Sequence, residues 1–361
     1  MIPWWYTELG EAEKNKLLEA FGEKRLTLSR SVQQVEELFA SLLQVPYAVL
    51  VNSGSSALLM ALLALDIQPE DEVIVPALTW IATAQAPGLL HAKVKLCDCT
   101  SDAPIMDPAH LDSLVTSRTK AIIPVHLNGR ECDMQAIRKI ADRVGAFIVE
   151  DACKAMFSRG KGGFLGTLGD LGCFSLGMIS LVSVGYGGLV VTRKKELYEK
   201  LKKIRDHGVE RDPESYAYLG FNFKISDLLA SLAIPQLENI QQKIQRAVTL
   251  HNLYTSSVKH PDMSILPIDT LEGQVPVYAE GYSEKREEMI AYLLENGIQT
   301  SRYHLPIHRA AYLNPEGTFP NAEKFTRNSF ILPSGPSQKI ENISQVIETV
   351  NHFNSHCGAY S

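Results

Sequence analysis

Residues 47–65 read YAVLVNSGSSALLMALLAL: an apolar run from Tyr47 to Asn52, a SerGlySerSer turn, then a helical stretch from Ala57 to Leu65. A short apolar run closed by a glycine turn and followed by good helix formers predicts strand, turn, helix. The order repeats downstream. Glu72–Pro76, Lys93–Leu96, Ala121–Val125 and Ala146–Glu150 are strand-like, and Trp80–Ala86 and Met134–Val144 read as helices between them. Parallel neighbours need long crossover connections that pack back on the sheet, so this alternation predicts an α/β fold with a mostly parallel sheet covered by helices on both faces.

The pattern changes near residue 245. A long helical segment from Ile225 to about Leu250 leads into Pro-bearing stretches, a strand-like Val277–Ala279, a helix over Ser283–Asn296 and a last helix over Ile340–Phe353. The expectation is a large domain over residues 1–245 and a small α/β domain over residues 246–361, with no internal repeat.

With 361 residues, 45% of them hydrophobic, the chain can bury a large core. The net charge is −6 and the 35 Lys and Arg are scattered, which argues against a nucleic-acid footprint. No apolar run approaches the roughly 18 residues of a membrane span. The N-terminal residues lack the charged and then apolar regions of a signal peptide, so a cytoplasmic protein that binds no membrane is expected. Six cysteines (Cys97, Cys99, Cys132, Cys153, Cys173, Cys357) lie without metal-ligand spacing, which points to reduced thiols. Cys97 and Cys99 would share one strand face, but no second ligand pair accompanies them and no metal is expected.

Three segments carry chemistry. Gly54, Ser55 and Ser56 follow a strand and open a helix, where backbone amides and the helix dipole favour an anion; the alternative is that Ser55 or Ser56 merely caps the helix. Trp80, just beyond a strand end, either stacks on a flat heterocycle or fills core. Asp151 ends an apolar strand, and a carboxylate buried there wants a cation or strong donors; the alternative is a cap on the following segment.

Residues 173–192, CFSLGMISLVSVGYGGLVVT, resemble the segment of DegT-type sugar aminotransferases that carries the lysine holding pyridoxal phosphate. In that family the lysine stands five residues after the Ser of a Phe-Ser pair, and here that position is Ser180. The resemblance runs in one order from the Glu36GluLeuPheAla helix to the last helix, and it implies a fold-type I aminotransferase with a seven-stranded type of sheet. It implies further that Gly54, Ser55, Ser56 and Ser175 hold the cofactor phosphate, that Trp80 stacks on the ring and that Asp151 pairs with the ring nitrogen. Lys154 stands where relatives have Gln or His near the ring hydroxyl. Gly220PheAsn222PheLys224 is similar to a Gly-x-Asn-x-Arg signature whose Asn reaches the phosphate of the neighbouring subunit in a homodimer. Lys224 keeps the charge there without arginine's bidentate fork. Tyr186 and His308, the latter in a His304–His308 stretch with Tyr303 adjacent, fall on the substrate side.

The activity so implied is transfer of an amino group, from glutamate as donor, to a nucleotide-linked keto sugar, with pyridoxal or pyridoxamine phosphate held noncovalently because serine has no amine. Three accounts of Ser180 follow. The serine replaces a natural lysine in a variant that traps an adduct. Or the chain is naturally lysine-free, like the related pyridoxamine-phosphate-dependent sugar dehydratases, with Lys154 supplying the missing amine. Or it is a noncatalytic relative that serves as a partner subunit.

Overall fold

The apolar runs form β1 (Tyr47–Val51), β2 (Glu72–Pro76), β3 (Lys93–Cys97), β4 (Thr119–Ile122) and β5 (Phe147–Asp151), joined by β6 (Leu171–Ser175) and β7 (Gly188–Thr192). They make one seven-stranded sheet in the order β1-β7-β6-β5-β4-β2-β3. The pairs from β6 across to β3 are parallel, and β7 alone runs antiparallel to both its neighbours, so β1 is parallel to the rest. The carboxyl ends of six strands therefore meet along one edge. These coordinates are a computed structural model describing residues 1–354 apart from residues 8, 25, 212, 213, 304 and 314; His304 and Cys357 lie outside it.

Alternation along the strands decides what each face packs against. Val49, Val51, Val73, Val75 and Val149 enter one core with the helices Gly54–Ala64 and Ala82–Leu89, whereas Ala48, Leu50, Phe174 and Val191 face the helix Arg30–Leu43. Ile74, Ile122 and Ile148 pack on the helix Met134–Val144. The sheet is thus covered on both sides, as the crossover pattern requires.

A second, wholly antiparallel sheet joins β8 (Ser264–Ile265), β9 (Ala279–Tyr282), β10 (Ser301–Arg302) and β11 (Ser329–Leu332) in the order β8-β9-β11-β10. It packs on the helices Arg286–Glu295 and Ile340–Asn351 through Met289, Leu293, Phe330, Ile343 and Val346.

Three expectations need correction. The single helix over Ile225–Leu250 is three: Asp227–Ser231, Ala233–Glu238 and Ile240–Ser257. Pro235 has no N–H to give the preceding turn, and the path turns again at Asn239. Residue 245 lies inside the last of these helices, whose Ala247 belongs to the large core and whose Leu250 and Tyr254 belong to the small one. The strand expected to reach Val125 ends at Ile122, two residues before Pro124, and the helix expected from Trp80 starts at Ala82.

The end of β5 is fixed from below by Glu150, whose side chain is fully buried. Its Oε1 accepts from the amides of Leu168 (2.6 Å) and Gly169 (2.5 Å); its Oε2 accepts from the Gly166 amide and faces His126 Nε2, both at 2.8 Å. His126 Nδ1 accepts from the Cys132 amide at 3.2 Å, so Nε2 carries the ring proton and donates to Glu150. Glu150→Gln would turn an amide NH₂ toward backbone N–H donors. It is expected to cost about 2–4 kcal/mol, read as a lower urea midpoint at unchanged slope; a loss below about 0.5 kcal/mol would contradict this role.

Candidate active site

The shared edge of carboxyl ends is where open parallel sheets bind ligands. After β1, Ser53 caps the helix Gly54–Ala64: its Oγ accepts from the Ser56 amide at 3.0 Å. The expected alternative, in which Ser55 or Ser56 is the cap, is thereby replaced. Ser55 is exposed and Ser56 half-buried at the mouth of the first turn. A Cβ on Gly54 would lie 3.0 Å from both Cys153 Sγ and Ser175 Cβ, so only glycine lets the helix start come this close to β5 and β6. Ser175 Oγ accepts from the Gly177 amide at 3.1 Å. Helix N-terminus and Ser175 hydroxyl thus share one cup.

Asp151 stands beside it, 4% exposed. Its Oδ2 accepts from Thr83 Oγ1 at 2.8 Å and its Oδ1 from the Cys153 amide at 3.1 Å. The local cap reading is therefore half met, yet among the described residues no cation pairs with this carboxylate. Thr83 Oγ1 also lies 3.0 Å from Thr79 Oγ1, which ties the turn carrying Trp80 to Asp151. Trp80 is 63% exposed, which overturns the core alternative for it.

Lys154 follows in the same turn, half-buried, and its Nζ donates to the carbonyl of Ile179, the residue before Ser180. Burial brings its ammonium down to about 8, against the opposing pull of Cys153 and Asp151. Ser180 is 4% exposed, and its Oγ finds no hydrogen-bond partner among the described residues. Buried hydroxyls are normally satisfied, so among the described residues this atom is an orphan.

The remaining residues lie farther out. Asn222 is exposed, with its carbonyl 3.4 Å from Asn52 Nδ2, while the Phe223 carbonyl takes the Asn52 amide at 2.9 Å. Lys224 is ion-paired with Asp206. Tyr186 is exposed after Gly185, whose φ is +84°. His308 Nε2 lies 2.7 Å from Glu323 Oε1, its ring stacks on Phe319 at 5.1 Å, and its Nδ1 is buried without a partner among the described residues. The Ile307 amide donates to the Ala77 carbonyl at 3.0 Å, which seats this segment beside the Trp80 turn.

Sequence reading missed the N-terminal strap. Trp5 Nε1 (2.9 Å) and Thr7 Oγ1 (3.2 Å) both donate to the Met178 carbonyl, two residues before Ser180. The same strap is bonded to the chain around the antiparallel sheet: the Ile2 amide gives to Gly297 O at 2.7 Å and the Ser334 amide to Trp4 O at 3.0 Å. The only signal was the TrpTrpTyr run at residues 4–6, which has no spacing that marks a site.

The DegT/DnrJ/EryC1/StrS aminotransferase family model matches residues 7–351. Among similar proteins are dTDP-3-amino-3,4,6-trideoxy-alpha-D-glucose transaminase of Streptomyces venezuelae, 34% identical over 96% of this chain and 93% of its own length, and GDP-perosamine synthase of Escherichia coli O157:H7, 31% identical over 90% of each. The crystal structure of S. venezuelae DesV in complex with a ketimine intermediate superposes with a TM-score of 0.88 at 32% identity, covering 94% of this chain and 93% of that one. The chain belongs to the DegT/DnrJ/EryC1/StrS aminotransferase family of pyridoxal-phosphate-dependent enzymes.

Proposed function

We propose that the chain transfers an amino group, drawn from glutamate, to a nucleotide-linked keto sugar in the cytoplasm. The observation that carries this reading is Asp151: a buried carboxylate with a hydroxyl and an amide on it and, among the described residues, no cation. Such a group is costly unless a positive partner arrives, and a protonated ring nitrogen is such a partner. The residues present therefore fit the cofactor. The Gly54 to Ser56 amides and Ser175 Oγ suit its phosphate, Trp80 suits its ring face, and Ser180 Oγ is without a partner among the described residues. The two relatives named above act on dTDP- and GDP-linked sugars by their names, which supports the substrate class.

Bound pyridoxal phosphate supplies an electron sink and, as pyridoxamine phosphate, the amino group. The chain's own residues do the rest. Asp151 keeps the ring nitrogen protonated. The amine form has no carbonyl for any lysine to bond, so contacts alone retain it, and at position 180 there is no amine for the aldehyde form. A serine hydroxyl is far too weakly acidic to carry protons unaided, and Lys154 Nζ, lowered to about 8, takes and returns them. Lys224 and His308 face the sugar, and Tyr186 flanks the entrance. Leu219 and Phe221 beside Asn222 are exposed, as is Tyr186, and such exposed apolar residues suit a twofold dimer in which Asn222 reaches the partner's phosphate. Ser180 itself favours a second reading, a pyridoxamine-phosphate-dependent sugar dehydratase. A purely scaffolding partner subunit would have no use for an unpaired buried carboxylate.

Two outcomes are expected. Asp151→Asn weakens pyridoxamine phosphate binding in calorimetry by about 10- to 100-fold, since a charge-assisted bond is lost; equal affinities would rule out the ring-nitrogen role. Ser180→Lys raises amino transfer from glutamate to a dTDP-linked keto sugar by about 10²-fold or more, the usual worth of a positioned proton carrier. Unchanged transfer with intact cofactor binding would favour the dehydratase reading instead.

A further inference from the structure

Two lysines reach the segment around Ser180. Lys154 Nζ donates to Ile179 O, and Lys243 Nζ lies 3.5 Å from Leu181 O, with its main bond, 2.8 Å, to Gln236 Oε1. They differ in what stands behind them. Lys243 comes from the helix Ile240–Ser257, and its Gln236 partner lies on the preceding helix. Lys154 shares a four-residue turn with Asp151, and the intervening Cys153 touches the place a Gly54 Cβ would take, so this turn runs between carboxylate and anion cup.

The amine of Lys154 is also poorly held as an ammonium. Its Nζ bonds to a neutral carbonyl, and among the described residues no carboxylate forms an ion pair with it. A buried ammonium with no ion-pair partner shifts toward the neutral amine where burial outweighs the pull of more distant carboxylates, and a neutral lysine amine is a nucleophile. Burial brings this group to about 8, well below an ordinary lysine. Ser180 has no amine, and among the described residues its Oγ has no partner.

We infer that Lys154 bonds the aldehyde form of the cofactor, so that the lysine missing from position 180 has its counterpart on the turn after β5. The inference rests on the cofactor reading given above. In the step, the Nζ lone pair adds to the aldehyde carbon and forms the C–N bond. The aldehyde oxygen then leaves as water with the two hydrogens of the amine, and a C=N bond replaces C=O. Nothing is oxidised or reduced, and an incoming primary amine reverses the step by displacing the lysine. The amine form of the cofactor has no aldehyde carbon, so retention is covalent in one of its two states and noncovalent in the other.

Borohydride reduction of the full chain loaded with pyridoxal phosphate, followed by peptide mass analysis, tests this directly. The expected result is a pyridoxyl group on the Lys154 peptide, formed more readily as the pH rises through about 8. In Lys154→Gln that adduct is lost while pyridoxamine phosphate still binds in calorimetry, which shows the cradle intact. Label on Lys243 or on surface lysines only, or bound pyridoxal phosphate with no adduct, would overturn the inference and leave the cofactor reading standing. Failure of both cofactor forms to bind would overturn the two together.

Discussion

Four donors converge on the carboxylate of Glu150, and the position of the neighbouring carboxylate depends on them. Successive side chains on a strand point to opposite faces, so a residue that fastens β5 on one side orients the next residue toward the other. On the Glu150 side the backbone of Gly166–Gly169 folds over and is locked by three amide bonds and His126. On the Asp151 side the helix Ala82–Leu89 contributes Thr83, and nothing positive. A carboxylate can be kept buried and short of a counter-ion only on a frame that cannot relax, and the Glu150 bonds supply that frame. Asp151, Cys153 and Lys154 inherit their positions from it.

A second buried network bridges the two sheets. Asn128, in the turn after β4, gives Nδ2 to Glu280 Oε2 and to Tyr278 O, each at 2.8 Å, while Arg130 pairs with Glu280 at 2.5 Å. Tyr303 Oη donates to the other Glu280 oxygen at 2.7 Å. The strand β9 is thereby bonded into the edge of the large sheet. The Ile307 amide, bonded to the Ala77 carbonyl, seats His308 beside the Trp80 turn. The N-terminal strap adds a third tie, so the backbone just before Ser180 is held by Trp5 and Thr7 at Met178 and by Lys154 at Ile179.

Much of this was legible in the sequence because it is local. The order of strands, the glycine turn after β1 and the apolar run ending in Asp151 are period and punctuation, which one chain displays without its fold. The position of Ser180 came from a motif, also local. What stayed hidden depends on distant partners. Nothing near Glu150 in the sequence announces His126 or the Gly166–Gly169 amides, and a TrpTrpTyr run gives no sign that its second indole reaches across to residue 178. The long helix of residues 225–250 was misread because Pro235 was outweighed by the helical pattern around it. Lys154 was visible as an odd residue, but its lowered basicity is a property of burial that only the fold supplies.

The central claim is that Asp151 and the Gly54 to Ser56 turn form a cofactor cradle that works without a lysine at position 180. The most direct measurement is diffraction from crystals of the unmodified chain grown with pyridoxamine phosphate. The account predicts the ring nitrogen on the Asp151 carboxylate, the phosphate on the first-turn amides and Ser175 Oγ, and Trp80 against the ring. Density for the cofactor away from Asp151, or crystals that take up none at saturating concentration, would contradict it.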